Sequence, residues 1–583
     1  MKRIIIYILV FAGIPLMPSC IKDILTQESA VNLPDAYYWN TPDDALSATY
    51  GVYVATRTLF GRDYYFDGMG EFQWTRGTSL GSGTWHPQAS SGSSFGFMWN
   101  NAYTVINRAN YVQKNLKLMI AGETNTAMLN SLKRIDGEVR FLRALAYFRL
   151  MELWGDVPFY TSVLAGNDEA VTLTRTPVSA IKDSLVKDLT YAIETLPPSL
   201  TSSELGRASQ AAAYGFRGKI QLYWASWKKN GWPELQGFTQ DASEAATYYA
   251  RAAEDFGKVI HDYNLRLFSE DDPGTYQNPK YWELFQVKNE YASEIIFSVQ
   301  YGGPNLGQGQ ELQRDYGTRS TGNAQCWVQA TSRLADRYQS LTTGDFANPV
   351  ILNSSATLEG GARNPDTYKD RDWRMKATIM WDGQKMLRLD ASGYIVGDSI
   401  TFKLGSTDGN TYINYDSNPM TGYLFRKWVR QEGIAERSDG PCDFYLMRLA
   451  DVYLMYCEAV NEVSGPNNDL VALVDKIRAR GNLPGLAPGK YATAAAFFDA
   501  IEQERIVELA AEGHRPFDIR RWRKVETIWP APTGQVLRNT DGTRIRDEFL
   551  NVPERDYQRF YIYQIPTGER ERNPNLTQNT PWL

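Results

Sequence analysis

Histidine is nearly missing from this chain: His86, His261 and His514 are the only ones in 583 residues, and no H-E-x-x-H run occurs. A two-histidine metal site on one helix is therefore excluded. Cysteine is almost as sparse. Beyond Cys20 there are only Cys326, Cys442 and Cys457, with no C-x-x-C spacing, which supports neither a disulfide framework nor a zinc ribbon. A chain this long can bury an adequate core without covalent staples. Past the first twenty residues no apolar run reaches membrane-spanning length. Basic residues are not concentrated either: the net charge is -6 and the 61 Lys and Arg are dispersed, so no stripe for nucleic acid exists and none is expected as a partner.

Catalytic patterns are equally thin. Gly77-Thr78-Ser79-Leu80-Gly81 and Gly92-Ser93-Ser94-Phe95-Gly96 fit G-x-S-x-G, but a nucleophile elbow needs a strand before and a helix after, and both runs lie in one Gly/Ser-rich segment read as loop. Gly307-Gln308-Gly309 lacks the third glycine of a dinucleotide turn, and no Walker loop is present. Glu504, Glu508 and Glu512 are spaced four apart, as a carboxylate face would require; with Arg505 and Arg515 nearby they read as a solvated or salt-bridged face. No catalytic residue, cofactor or metal is expected, and the chain reads as a binding protein rather than an enzyme.

The first residues carry a different signal. Lys2 and Arg3 precede an apolar stretch from Ile4 to Ile14, and Leu16-Met17-Pro18-Ser19-Cys20 supplies a processing site. Residues 1–19 are expected to be a lipoprotein signal peptide, Cys20 the lipid attachment point, and residues 20–40 anchor and tether. Acyl chains contribute ~0.8 kcal/mol per buried methylene, so two or more make release from a membrane negligible.

Aromatics are abundant: 16 Trp, 35 Tyr and 24 Phe make up 13% of the chain. Many of them accompany helical periodicity. Thr41-Pro42 predicts a helix start before Ala45, Ala48, Val52, Ala55 and Leu59. Thr176-Pro177 does the same for Val178, Ile181, Leu185, Leu189, Ala192 and Leu196. The rhythm returns at Ala245, Tyr249, Ala252, Phe256, Val259 and Tyr263, and at Leu446, Leu449, Tyr453, Tyr456 and Val460. Ala211, Gly215 and Gly218 form a small-residue seam before Leu222, suited to close helix pairing of tetratricopeptide type or to plain helix packing. In contrast, 265–440 is rich in Gly, Asn, Asp and Tyr with short strand-like runs, Ile295-Ile296-Phe297-Ser298-Val299 and Gly393-Tyr394-Ile395-Val396.

Ordered motifs then converge. Tyr38-Trp39-Asn40-Thr41-Pro42-Asp43-Asp44-Ala45, Ile106-Asn107-Arg108-Ala109-Asn110, Glu138-Val139-Arg140-Phe141-Leu142-Arg143-Ala144 and Trp154-Gly155-Asp156-Val157-Pro158 are followed by Arg448-Leu449-Ala450-Asp451-Val452-Tyr453-Leu454-Met455. Ile477-Arg478-Ala479-Arg480, Glu504-Arg505, Arg520-Arg521-Trp522 and Asn573-Pro574-Asn575-Leu576-Thr577-Gln578-Asn579 complete the series. In this order the chain resembles the SusD/RagB outer-membrane lipoproteins over essentially its whole mature length. The resemblance implies a mainly α fold, with four tetratricopeptide-like helix pairs supporting an irregular, loop-rich ligand-binding region with short strands. An N-terminal helical region at 41–264 and a C-terminal region at 265–583 are expected, the latter divided into a loop-rich binding part (265–440) and a helical part (441–525). It further implies a surface-exposed lid on a SusC-like, TonB-dependent outer-membrane transporter, capturing glycan for import; capture of peptide, found among relatives, is the alternative.

Sugar rings present flat C–H faces, so a glycan site needs exposed aromatic rings beside hydrogen-bonding groups, best carried on loops of a rigid scaffold. Trp85, between the turn residues of Gly83-Thr84-Trp85-His86-Pro87, is the first candidate, with Trp74 and Asp67 in the same segment. The resemblance points to Tyr301, after the Ile-Phe strand, and to Trp327. Arg371 and Tyr394 are further candidates, although Tyr368-Lys369-Asp370-Arg371-Asp372 reads equally as a structural turn.

Overall fold

The computed structural model describes residues 38–75, 93–303, 305–317, 324–348, 366–381, 384–390, 394–401, 403–404, 412–413, 423–430, 437–528, 536–538, 544–547 and 557–583. The first helix, α1 (Pro42–Phe60), begins where the sequence placed it: the Thr41 hydroxyl accepts from Asp44 N, and the Asp44 carboxylate accepts from Thr41 N at 2.8 Å. This reciprocal box satisfies two of the donors that a helix start leaves orphaned. Two long helices follow, α2 (Ser93–Gly122) and α3 (Thr126–Trp154), then α4 (Val178–Thr195), α5 (Gln210–Asn230) and α6 (Ala242–His261). Ser93 to Gly96, read as loop from the sequence, are the first turn of α2.

Each helix packs on its successor from α1 to α6, and α6 packs on α7 (Leu449–Ser464) of the C-terminal half. Small residues set the spacing. A Cβ at Gly137 of α3 would collide with the Thr195 hydroxyl on α4, and one at Gly218 of α5 would stand 2.8 Å from the Phe256 ring on α6. Arg143 then ties three helices together. It forms a bidentate pair from α3 to Asp188 on α4 at 3.0 Å and donates to Asn110 and Gln113 on α2.

Local sequence misplaces two features. The start of α4 is capped by Asp156, whose carboxylate accepts from Val178 N at 2.8 Å, while Thr176 bonds through its backbone to Val157. Leu446 does not belong to the helix of Leu449, because Phe444–Arg448 is a strand paired antiparallel with Ile295–Val299. A four-residue apolar run, Phe444 to Met447, suits either state, and the partner strand decides.

The C-terminal half also holds α8 (Asn468–Ala479), α9 (Ala494–Glu508) and α10 (Arg515–Arg521), and the chain carries short helices and short strand pairs besides. Among these, Gln73–Thr75 (β1) pairs with Val328–Ala330, and Lys385–Leu389 with Ile395–Thr401. In chain order we call Ile295–Val299 β2, Val328–Ala330 β3, Lys385–Leu389 β4, Ile395–Thr401 β5 and Phe444–Arg448 β6. The apolar side chains of both halves merge into one core cluster running from Ala45 to Leu576.

The carboxylate series is not the solvated face that spacing allows. Glu504 and Glu508 lie in α9, Glu512 just beyond it, and all three are buried. Glu508 accepts from Arg374 at 3.1 Å, from Arg448 at 2.6 Å and from Arg480. Glu512 pairs with Arg448 and Lys427, and Glu504 with Arg374 and Arg478. The salt-bridged alternative holds, inside the protein. Buried charges of this kind persist only when paired on all sides.

Candidate functional site

Tyr301 stands two residues after β2 and is fixed from below. Its backbone N–H donates to Asp443 Oδ1 at 2.9 Å, and the Asp443 backbone N–H in turn donates to Glu290 at 2.9 Å. Burial pushes both carboxyls up, and the charge of Asp443 raises Glu290 further. The Tyr301 ring is half-buried, lies 5.5 Å from the Arg57 guanidinium, and has its phenol pushed up by burial. Its hydroxyl crosses Gly61, where a Cβ would collide with it, so glycine at the end of α1 is what lets this ring lie where it does.

Trp327 stands one residue before β3, half-buried, with the Arg314 guanidinium 5.2 Å from its ring. Its indole N–H has no hydrogen-bond partner among the described residues. Between the two rings runs a chain of alternating charge. Arg62, close enough to Tyr301 to act on its phenol, pairs with Glu311; Glu311 pairs with Arg314; and Arg314 donates to Asp315 at 2.7 Å. Asp315 is held in turn by the Tyr64 and Tyr65 hydroxyls, each at 2.6 Å. Two aromatic faces on rigid roots, with guanidinium and carboxylate groups between them, are what stacking and hydroxyl recognition require.

Trp85 and Cys20 lie outside the described residues. Thr75, the last residue of β1, is opposite Val328, the neighbour of Trp327.

Three of the expected contacts belong instead to the framework. Trp74 is 7% exposed within β1 and packs into the core. The Asp67 carboxylate, 5% exposed, accepts from Gly513 N at 2.9 Å and Arg515 N at 3.2 Å, joining the N-terminal half to the start of α10, and burial raises it to about 7. Arg371, 1% exposed, donates to the carbonyls of Tyr338 and Asn348, so the structural-turn reading of its segment is the one realised. The Asp67 carboxylate and the two Arg371 terminal nitrogens are engaged by the protein itself. Tyr394 is on the surface, 52% exposed, with Lys288 5.6 Å from its ring; it is not among the residues around Tyr301.

Tyr301 also forms one wall of a cleft of about 380 Å³ shared with Tyr50, Tyr53 and Arg57 of α1 and with Tyr291. Sequence reading passed these residues over. Tyr50, Tyr53, Val54 and Arg57 recur at helical spacing beside the buried stripe of Ala45, Val52, Ala55 and Leu59, and that second stripe is the signal that could have found them. A larger cavity of about 850 Å³ lies elsewhere, against Glu71, Arg337, Arg478, Glu502 and Arg515. Its charges are largely engaged internally: Arg515 holds Glu71 and Glu502, and Arg478 holds Glu504 and Gln339.

Comparison with known proteins bears on the whole chain. Residues 293–582 match the model of the SusD family, and residues 49–222 match a second model described as starch-binding and associating with the outer membrane. The SusD-like protein P25 of Formosa agariphila is 26% identical, covering 99% of this chain and 98% of its own. The starch-binding protein SusD of Bacteroides thetaiotaomicron is 24% identical over 76% of this chain and 72% of its own. A crystal structure of a SusD-like carbohydrate-binding protein from Bacteroides fragilis shares the fold, with a TM-score of 0.69 at 21% identity over 93% of this chain and all of that one.

Proposed function

The chain belongs to the SusD family, and from that premise we propose that it is an outer-membrane lipoprotein, anchored through Cys20, that captures glycan at the cell surface and delivers it to a SusC-like, TonB-dependent transporter. The observation that carries glycan binding is the ridge from Tyr301 to Trp327. Two half-buried aromatic rings stand at its ends, and Arg62, Glu311 and Arg314 link them with donors and acceptors. Stacking on C–H faces plus charge-assisted hydrogen bonds to hydroxyls fits a sugar chain. The starch-binding description of the second family model and the starch-binding relative support the same class of ligand. Trp85 is proposed as a third ring. Binding without hydrolysis is the expected chemistry, and purified protein that released reducing sugar would contradict it.

Isothermal titration against a polysaccharide panel and a mixed peptide pool tests the reading. Saturable heat with a polysaccharide and none with peptides is expected. Heat with peptides alone would replace glycan by peptide as the cargo.

A further inference from the structure

α1 carries two faces of different character. Ala45, Val52, Ala55 and Leu59 are buried, while Tyr50, Tyr53, Val54 and Arg57 occupy positions i, i+3, i+4 and i+7 of a second stripe. In that stripe Tyr50 is 46% and Val54 45% exposed. A core does not ask for such a stripe. Opposite it stand Tyr291, 54% exposed, and Tyr301. Gln300 crosses the cleft between them. Its side chain lies against Gly206, whose φ of +87° and missing Cβ make room for it, and its Nε2 donates to the Tyr291 hydroxyl at 2.8 Å. Arg57 Nη1 donates to the Gln300 carbonyl at 3.3 Å.

We infer that the cleft between Tyr50 and Tyr291 is a second glycan subsite, continuous with the ridge through Tyr301, and that the ligand is therefore a chain of several sugar units. The inference rests on the glycan reading above. Tyr53 is a wall only, since its hydroxyl donates to Glu138 at 2.8 Å and accepts from Ala208 N at 2.8 Å. The Tyr50 hydroxyl, by contrast, has no hydrogen-bond partner among the described residues. Arg57, Arg207, Gln300 and Gln308 line the same space, a polarity that suits sugar hydroxyls and not an apolar helix or a lipid chain. Tyr50 and Arg57 are separated by two helical turns, about 10 Å, so a ligand touching both Tyr50 and Tyr301 must extend beyond a single ring.

The test uses the full chain with amylose, laminarin and xyloglucan, and with oligosaccharides of each from the disaccharide upward. In the Tyr50→Ala/Tyr291→Ala double variant, affinity for the longest ligand should fall about tenfold while the shortest that binds is held as in wild type. Trp327→Ala should weaken every length. Equal loss at all lengths, or no loss at any, overturns the second subsite and leaves the first intact. A wild-type protein that retains none of the three glycans overturns the glycan reading and this inference with it. Should the double variant lose its melting midpoint, Tyr50→Ala alone, at an exposed helix position, gives the same readout.

Discussion

The Asp443 carboxylate accepts the backbone N–H of Tyr301 at 2.9 Å, and its own second oxygen accepts from the Ser298 hydroxyl at 3.2 Å. Beneath it Glu290 accepts from Asp443 N, with Arg430 contributing the nearby positive charge. Two carboxyls thus share one buried footing under the ring expected to meet the ligand.

That footing sets a pH dependence. Both carboxyls are raised by burial, so the folded state binds more protons than the unfolded chain once pH passes the ordinary value of about 4. Their stabilising contribution is complete below that value and is lost as pH rises through the raised values. Urea titrations at about pH 5 and about pH 8 should show wild type losing stability across the interval, by at most about 1.4 kcal/mol per pH unit for each proton released. Glu290→Gln keeps an acceptor oxygen for Asp443 N and deletes a charge; its slope should be shallower and its stability at the higher pH greater. A steeper slope would refute the account.

Trp327→Ala removes an aromatic face while its neighbours Arg314 and Glu311 keep each other. Glycan affinity is expected to fall at least about tenfold, with the melting midpoint lowered only modestly, because the ring is half-buried. Trp85→Ala should weaken binding similarly with almost no change in midpoint. Calorimetric titration beside a thermal melt separates the two effects, and unchanged affinity in both variants would remove the stacking role.

Glu508→Gln attacks the framework. Against the raising effect of burial, Arg480, Arg448, Arg374 and Lys427 hold the Glu508 carboxyl well below the usual range. Neutralising it leaves the buried Arg374, Arg448 and Arg480 each one carboxylate short, although Glu504, Glu512 and Glu294 still pair with them, at a cost of up to about 3–5 kcal/mol. Since a depressed carboxyl contributes stability above about pH 4 and loses it as pH falls further, the variant should also lose part of the wild-type acid transition. Denaturant midpoints at neutral and acidic pH measure both, and a variant as stable as wild type would show the network to be dispensable.

Gly218→Val places methyls where the Phe256 ring already stands 2.8 Å from an ideal Cβ. Overpacking of this kind costs about 1–3 kcal/mol. The loss should appear as a lowered melting midpoint with glycan affinity unchanged, since α5 and α6 meet away from the ridge.

Cys20→Ala is expected to move the protein from the membrane fraction to the soluble fraction without altering the glycan affinity of the folded body. Retention in membranes would point to attachment by other means.

Helix α1 could be read before its structure was known because its cap is local: Thr41 and Asp44 are three residues apart. The close approach at Gly218 is legible for the same reason, because the small-residue seam of Ala211, Gly215 and Gly218 is local. What sequence could not supply was partnership at a distance. Glu508 reads as a surface residue until Arg374 and Arg448 arrive from elsewhere in the chain, and Leu446 reads as helical until β2 claims its segment. Asp67 and Arg371 looked available as ligand contacts because each sits among polar, turn-forming neighbours. Their hydrogen bonds run to Gly513 and Tyr338, and no local pattern announces that. Tyr301 was indicated by family resemblance, whereas Tyr50 and Tyr291 were missed because an exposed tyrosine on a helix is unremarkable until the opposite wall is seen.

The bond from Tyr301 to Asp443 spans 142 residues, and it has a bearing on the order in which the molecule matures. At ordinary synthesis rates the ring's anchor emerges on the order of ten seconds after the ring itself. Until then β2 lacks its partner strand, and the stack of α1 to α6 lacks α7. The contacts among α1 to α6 do not depend on Asp443, whereas the footing of Tyr301 does, and a chain cut short before Asp443 would lack that footing. The segment around Asp443 confers competence on a ring made before it.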